Sequence, residues 1–369
     1  MSNLQQLDEA LDYLNGVNST LFFNNLQNSI SNFINESNTF DLLFEDAKII
    51  QFPSDKVNKS SDKKVSILNR IIEAIKKFLI FVKDKVLGFI KKVIANIKSA
   101  AMVARINRSC KVIEDEIDED FDIDWDSEDL EESGYVSEGL ATIGVGLAAK
   151  QIYKIAKKYD KKDLLFDIDK YIKVDYSCLP DLFKILDKYY IVPIGKSIAA
   201  RDMGILNEFC TENYDNLLKD FDKAVGKIEI CGTKLSFESL GIAEIERRID
   251  EGQELGAKKV AKITFKHLYD MLKKDCKNAD KVMNNLYKMS CEIIDYTDKL
   301  YKAIEKLPKD QLSIVAENAF KFINKGIDCL KGMSNVVVQG SKLEAKHYAA
   351  ASKFLTECGI ALETNKKAS

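Results

Sequence analysis

The feature that most constrains this chain is an aliphatic stripe within residues 65–106. Apolar residues recur there at alternating intervals of four and three, the heptad spacing that places them on one face of an α-helix. We call this set the seam, and its members are Leu68, Ile72, Ile75, Leu79, Val82, Val86, Phe89 and Val93. The flanks and back carry Lys76, Lys77, Lys83, Lys85, Lys91, Lys92 and Lys98. The segment predicts a long basic amphipathic helix, and we interpret the seam as a partner-binding face.

The seam is compatible with three kinds of partner. The helix can pack within this protein or against a second copy, as in a coiled coil or a helical bundle. It can receive a different protein. It can also lie on an anionic membrane, with its lysines at the lipid headgroups. The stripe does not choose among these, so all three stay open at this point.

The low proline content sets the fold class. Only four prolines occur in 369 residues, which favours long helices over a turn-rich sandwich or barrel. We predict a mainly α fold with at most one short β-hairpin, at 227–237, where β-branched residues alternate around Cys231 and Gly232. Helices of the C-terminal part are predicted at 180–191, 203–225, 240–252, 256–277, 279–307, 310–331 and 341–362.

The organisation along the chain follows from composition. We predict four parts: an N-terminal helical segment (1–53), a linker with the basic amphipathic helix (54–111), an acidic linker (112–138) and a C-terminal multi-helix bundle domain (139–369). Residues 61–111 hold thirteen basic and three acidic residues, whereas residues 112–138 hold fourteen acidic residues and no basic one. Because the acidic run has no apolar periodicity, we expect it to be disordered.

The acidic run partly matches a calcium-binding loop. Asp120, Asp122, Asp124, Glu128 and Glu131 occupy the first, third, fifth, ninth and twelfth positions of an EF-hand loop. The sixth position, which requires glycine for the turn, is Trp125. We therefore expect no metal site.

Motifs for catalysis or cofactor binding are missing from the sequence. Gly195-Lys196-Ser197 resembles the end of a phosphate-binding loop, but its first glycine would fall at Tyr190. The two histidines, His267 and His347, are eighty residues apart and are expected at the surface or at a core boundary. The eight cysteines form no C-x-x-C pair, and we expect them to be reduced and mostly buried. We predict no catalytic residue, no cofactor and no enzymatic activity.

The order of parts carries a resemblance. A lysine-flanked helix, RIIEAIKKFLIFVKDKVLGFIKKVIANIKS, precedes an acidic run that ends in EESGYVSEG, and a small-residue patch then leads into a basic helix, GLATIGVGLAAKQIYKIAKKY. Over about residues 60–160 this resembles internal virion and prohead-core proteins of large tailed bacteriophages.

The resemblance implies a non-enzymatic structural protein of a phage particle. Such a protein would assemble in the host cytoplasm and lie inside the capsid or act in head assembly. Its partners would be other virion or capsid proteins and further copies of itself, with weak non-specific DNA contact. The alternative is a membrane-active protein that places the 65–100 helix on anionic lipid, and an enzyme of unrecognised type comes third.

The resemblance also implies proteolytic trimming after glutamate. Glu132 and Glu138 are the candidate positions, because they stand where the acidic run gives way to small apolar residues. Cleavage there would separate an acidic N-terminal product from a basic C-terminal one. We expect the basic product to stay near DNA and the acidic one to leave.

Overall fold

A computed structural model of the chain describes residues 23–33, 61–116, 151–152, 154–159, 164, 172–174, 178–259, 264–308 and 317–368. They form a helical bundle with a small sheet, so the prediction of a mainly α fold is confirmed. The helices are α1 (23–33), α2 (Ser61–Ile80), α3 (Leu87–Ile97), α4 (Ala100–Glu116), α5 (Cys178–Leu186), α6 (Val192–Ala200), α7 (Met203–Val225), α8 (Ile242–Lys259), α9 (Phe265–Glu305) and α10 (Glu317–Ala368). The strands are β1 (Ile172–Val174), β2 (Ile228–Ile230) and β3 (Thr233–Lys234). Single π-helical stretches join α2 to α3 (Phe81–Val86) and α5 to α6 (Asp187–Ile191), and a 3-10 turn spans Phe237–Leu240.

The helix α10 is the centre of the bundle. At 52 residues it is about 78 Å long, given the helical rise of about 1.5 Å per residue. It packs against α9, α4, α7, α8 and the 3-10 turn. Glycines along α10 lie directly against side chains of its neighbours, and the pairs are Gly326 with Tyr190, Gly332 with Leu240, Gly340 with Leu286 and Gly359 with Ser109. Neighbours on several sides can thus approach the α10 backbone closely.

The helices that carry the seam belong to this same bundle. The helices α2 and α3 lie along α9, whereas α4 packs mainly against α10. The chain changes direction between them at Lys98 and Ser99. The segment predicted as one element over 65–106 is therefore divided, because its two parts follow different helices of the bundle. The helix α1 joins the same side, where the Phe33 and Phe89 rings stack with centroids 4.0 Å apart.

The acidic run predicted to be disordered from residue 112 begins inside a helix. The helix α4 continues to Glu116, because Ile113 on its inner face is fully buried. The boundary predicted at residue 111 accordingly falls within α4. Residues 117–138 lie outside the described residues. One hydrophobic core contains side chains from both 61–116 and 178–368.

The predicted hairpin forms at its expected place. The strands β2 and β3 pair antiparallel, with Ile230 opposite Thr233. Cys231 and Gly232 make the two-residue turn with φ values of 51° and 80°, the two positive angles that a tight hairpin needs. The strand β1 pairs with the other edge of β2, and the sequence pattern did not indicate it.

The two longest helices each cover a pair of predicted ones. One predicted helix ended at 277 and the next began at 279, but α9 is continuous there. Neither proline nor glycine stands at this point to end the helix. The helix α10 runs through the predicted gap at 332–340. Gly332 and Gly340 lie in that gap, and they stay helical because Leu240 and Leu286 pack against them.

Candidate functional site

The seam is buried within the chain. Seven of its eight residues lie in the core, and the eighth, Leu79, is half-buried against it. The side chains that cover the seam come mainly from α9. Of the three kinds of partner that the sequence leaves open, the structure shows packing within this protein: in the folded chain the seam lies against the chain's own α9.

Lysines beside the seam reach across to α9. The Lys76 ammonium lies 5.8 Å from the Tyr301 ring centroid, and the Lys91 ammonium lies 5.6 Å from that of Tyr287. Further along, Lys98 Nζ is 3.1 Å from Asp280 Oδ1. Residue numbers rise on one side of these pairs and fall on the other, so α2–α3 run antiparallel to α9. This lysine row closes the edge of the apolar interface while its charged ends stay in water.

The helices α4 and α10 approach each other closely at Gly359. A Cβ placed on Gly359 would lie 2.7 Å from the Ser109 Cα atom. One residue away, the Arg108 guanidinium donates to Glu363 with a nitrogen-oxygen distance of 2.6 Å. The backbones therefore meet with no room for a side chain between them.

The helix α4 also makes polar contacts with α9. The Tyr269 hydroxyl donates to the backbone carbonyl of Cys110 at 3.2 Å, and Lys273 pairs with Glu114. The hydrogen bond from Lys273 lowers the pKa of Glu114, and the same bond raises the pKa of Lys273. These groups join α4 to α9 as well as to α10.

Charged and polar side chains are buried along the middle of α10. Gln339 Nε2 donates to Glu246 of α8 at 2.7 Å, and Lys342 Nζ lies 3.6 Å from the same carboxylate. Nearby, the Asn335 amide donates to the backbone carbonyl of Leu240 at 3.1 Å. Because a buried polar group is costly unless it is paired, these contacts hold α8 and the 3-10 turn in one position on α10.

His347 belongs to this buried polar region, so its expected surface or boundary position is wrong. Only 4% of the residue is exposed, and its Nε2 lies 3.0 Å from Asp275 Oδ2. The other histidine, His267, is exposed at the start of α9. The residues of the pair are 72 apart in sequence, so helix periodicity could not have joined them. The local sequence gave no signal of burial either, because Lys342, Glu344 and Lys346 stand close to His347 in α10.

Cys276 stands next to Asp275 in the chain. Burial is the main cause that raises the pKa of Cys276, so the residue stays a thiol at neutral pH. The thiolate is the reactive form of cysteine. The His347–Asp275 contact joins α10 to α9.

The cysteines are free thiols, and five of the eight are buried: Cys110, Cys178, Cys210, Cys329 and Cys358. Burial raises the pKa of Cys210 to about 12 and that of Cys231 to about 11. Desolvation disfavours the charged thiolate, so these side chains behave as small apolar groups.

Two predicted sites lie outside the described residues. These are the EF-hand-like positions between Asp120 and Glu131 and the processing positions Glu132 and Glu138. Within the part of the chain that the structure describes, no three His, Cys, Asp or Glu side chains converge as metal ligands. In the same part, no helix combines the length and apolar character needed to cross a bilayer.

The chain was compared with family models, curated proteins and solved structures, and none of them matches it.

Proposed function

We propose that this chain is a non-enzymatic structural protein of a bacteriophage particle, inside the capsid or active in head assembly. The observation that carries the structural role is the burial of the seam and of the inner face of α4 against α9 and α10. The aliphatic face of this region is used to build the core of the helical bundle. The phage setting comes from the order of parts along residues 60–160 and is the part of the proposal that most needs testing.

The chemistry of the interior favours a structural role over an enzymatic one. The buried histidine is paired with Asp275, the buried Lys342 lies beside Glu246, and the buried thiols are held protonated. The histidine and the lysine each join α10 to a neighbouring helix, and the buried thiols pack in the apolar core. An enzyme needs such groups to converge on space for a substrate, which is a different arrangement.

The membrane alternative loses its main support. Lipid would have to receive the seam, and in the folded chain α9 covers it. Membrane binding would therefore require α2 and α3 to leave the core. Co-sedimentation with anionic vesicles tests this, and we expect the protein to stay in the supernatant at physiological salt.

The trimming hypothesis changes in one respect. The region 61–116 would belong to the acidic N-terminal product, and it is packed against α9 and α10. Cleavage at Glu132 or Glu138 would therefore leave the two products bound together. The acidic product would stay with the basic one, contrary to the expectation from charge alone.

Mass spectrometry of purified particles tests the proposed function. We expect the chain to be present in a fixed number of copies per particle, as one species of 41.7 kDa or as two fragments in equal amounts. The control is a non-structural protein encoded by the same genome, which should be lost on purification. Loss of this chain together with the control would contradict the proposal.

A further inference from the structure

The region 61–116 packs against helices that follow much later in the chain. Its peptide connection to them is residues 117–150. We call it the N-terminal unit. It contributes sixteen buried hydrophobic side chains to the core: Leu68, Ile71, Ile72, Ile75, Phe78, Val82, Val86, Leu87, Phe89, Ile90, Val93, Ile97, Met102, Ile106, Cys110 and Ile113. The principal helix contacts of the unit are with α9 and α10. An interface of this kind resembles one between subunits, since it is extended and apolar and its partners are remote in sequence.

Polar contacts make the interface specific. Lys98 meets Asp280, Arg108 meets Glu363, and the close approach at Gly359 fits the backbone at Ser109. These contacts fix one register of the unit along α9 and α10. The surface that α9 and α10 offer is thus shaped for this unit.

The chain between the unit and the next described residue is long. It comprises residues 117–150, and a chain of that length spans at most about 110 Å. This exceeds the length of about 78 Å for α10. A neighbouring molecule is consequently within reach of the unit.

We propose that the α9–α10 surface also accepts the N-terminal unit of a second copy, so that copies associate by exchanging this unit. The exchanged and unexchanged forms have the same interface contacts. The equilibrium between the two forms therefore depends on the segment 117–150 that connects the unit to its own chain and on the protein concentration. Because residues 117–150 keep the unit near its own chain, its effective concentration there is on the order of 1 mM. Exchange becomes competitive when chains are crowded to that level, as in a forming particle, and in this use the inference rests on the proposed function.

Isotope-resolved cross-linking of the full chain tests the exchange. Equal amounts of ¹⁴N- and ¹⁵N-labelled protein are mixed in denaturant, refolded together at about 1 mM to match the effective concentration, and separated by size. A zero-length reagent then joins Lys98 to Asp280, which lie 3.1 Å apart across the interface. Lys273 and Glu114 provide a second reporter across the same interface.

A pair within one helix is the matched control. Lys302 Nζ and Asp298 Oδ2 are 2.5 Å apart, and their exposure is similar to that of the reporter pair. This cross-link must always join residues of the same isotope. If refolding at high concentration gives precipitate, the native proteins are mixed at the urea midpoint and dialysed instead.

We expect a dimer in which about half of the Lys98–Asp280 cross-links join different isotopes, the fraction for random pairing in a two-fold assembly. The monomer should contain none. A chain that stays monomeric under both procedures, or a dimer whose Lys98–Asp280 cross-links never mix isotopes, overturns the proposal. Neither result depends on particles, so the exchange can fail while the proposed function stands.

Discussion

Gly359 illustrates how single residues determine the packing of α10. A methyl group at this position would collide with the Ser109 backbone and side chain. We expect Gly359→Ala to lower the free energy of unfolding by roughly 1–3 kcal/mol, because overpacking forces backbones apart. Urea denaturation at neutral pH measures this change.

The control for this prediction is Gly88→Ala in α3. A Cβ on Gly88 meets nothing within 4 Å. The substitution should raise stability by roughly 0.4–1 kcal/mol, since alanine restricts the unfolded chain. If the two variants have equal stability, the close approach of α4 to α10 is wrong.

Thiol reactivity gives a second prediction at the level of residues. With a pKa of about 12 for Cys210, the thiolate fraction at pH 8 is on the order of 0.01%. We expect Cys210 to escape iodoacetamide in the native protein and to react fully in guanidinium. Peptide mass spectrometry reads the modification at each cysteine. Native labelling of Cys210 at the rate of a free thiol would contradict its burial.

At the scale of elements, the seam is the region where sequence and structure agree best. The heptad spacing identified the residues of α2 and α3 that are buried. A continuous apolar face on a helix is unfavourable in water, so it packs against another surface. The spacing could not identify α9 as the partner, because it carries no information about which surface covers a stripe. The contacts that mark α9 as the partner, such as Lys98 with Asp280, join residues far apart in the chain.

The misplaced helix ends have a similar cause. Gly332 and Gly340 lower helix propensity, so a local pattern indicates a gap. In the folded protein, Leu240 packs against Gly332 and Leu286 packs against Gly340. These contacts stabilise α10 as one continuous helix. The three-residue strand β1 and the His347–Asp275 pair were missed for the same reason, since both depend on contacts distant in sequence.

A double substitution tests the burial of the seam. We expect Leu79→Asp with Val86→Asp to reduce stability by more than about 3 kcal/mol, because Val86 is fully buried and a buried unpaired charge is costly. Thermal unfolding followed by circular dichroism measures the effect.

The matched control adds two aspartates to the outer side of the same helices. Ile80 is 60% exposed, and Ala95 is also exposed. Ile80→Asp with Ala95→Asp should change stability by less than about 1 kcal/mol. Equal melting temperatures for the two double variants would show that the seam is not buried.

The ion pair between α4 and α9 gives a pH prediction. The pKa of Glu114 is lowered in the folded state by Lys273. Its contribution is therefore present above the unfolded pKa of about 4.3 and is lost as the pH falls through the folded pKa. Because Glu114 is about half exposed, its contribution is small, about 0.2–1 kcal/mol.

Denaturation at two pH values measures this contribution. Glu114→Gln should be less stable than the wild type at pH 7, and the difference should disappear at pH 2. Asp115→Asn removes the same charge from the next position and serves as the control. A Glu114→Gln deficit that persists unchanged at pH 2 would contradict the role of the carboxylate.

At the scale of the whole molecule, the central claim is that residues 61–116 and the C-terminal helices form one cooperative core. The sequence suggested separate parts, because charge and composition change sharply near residue 112. The structure unites them because the aliphatic faces on either side of that change bury one another. The charge boundary and the folding boundary consequently do not coincide.

Native-state hydrogen exchange tests this claim most directly. If the core is one unit, the amides of α3 and those in the middle of α10 should exchange through the same global unfolding. Their protection free energies should then be equal to one another and to the stability measured by denaturation. Exchange of the α3 amides through a separate opening, several kcal/mol below that of α10, would show that the N-terminal helices form a unit apart from the core.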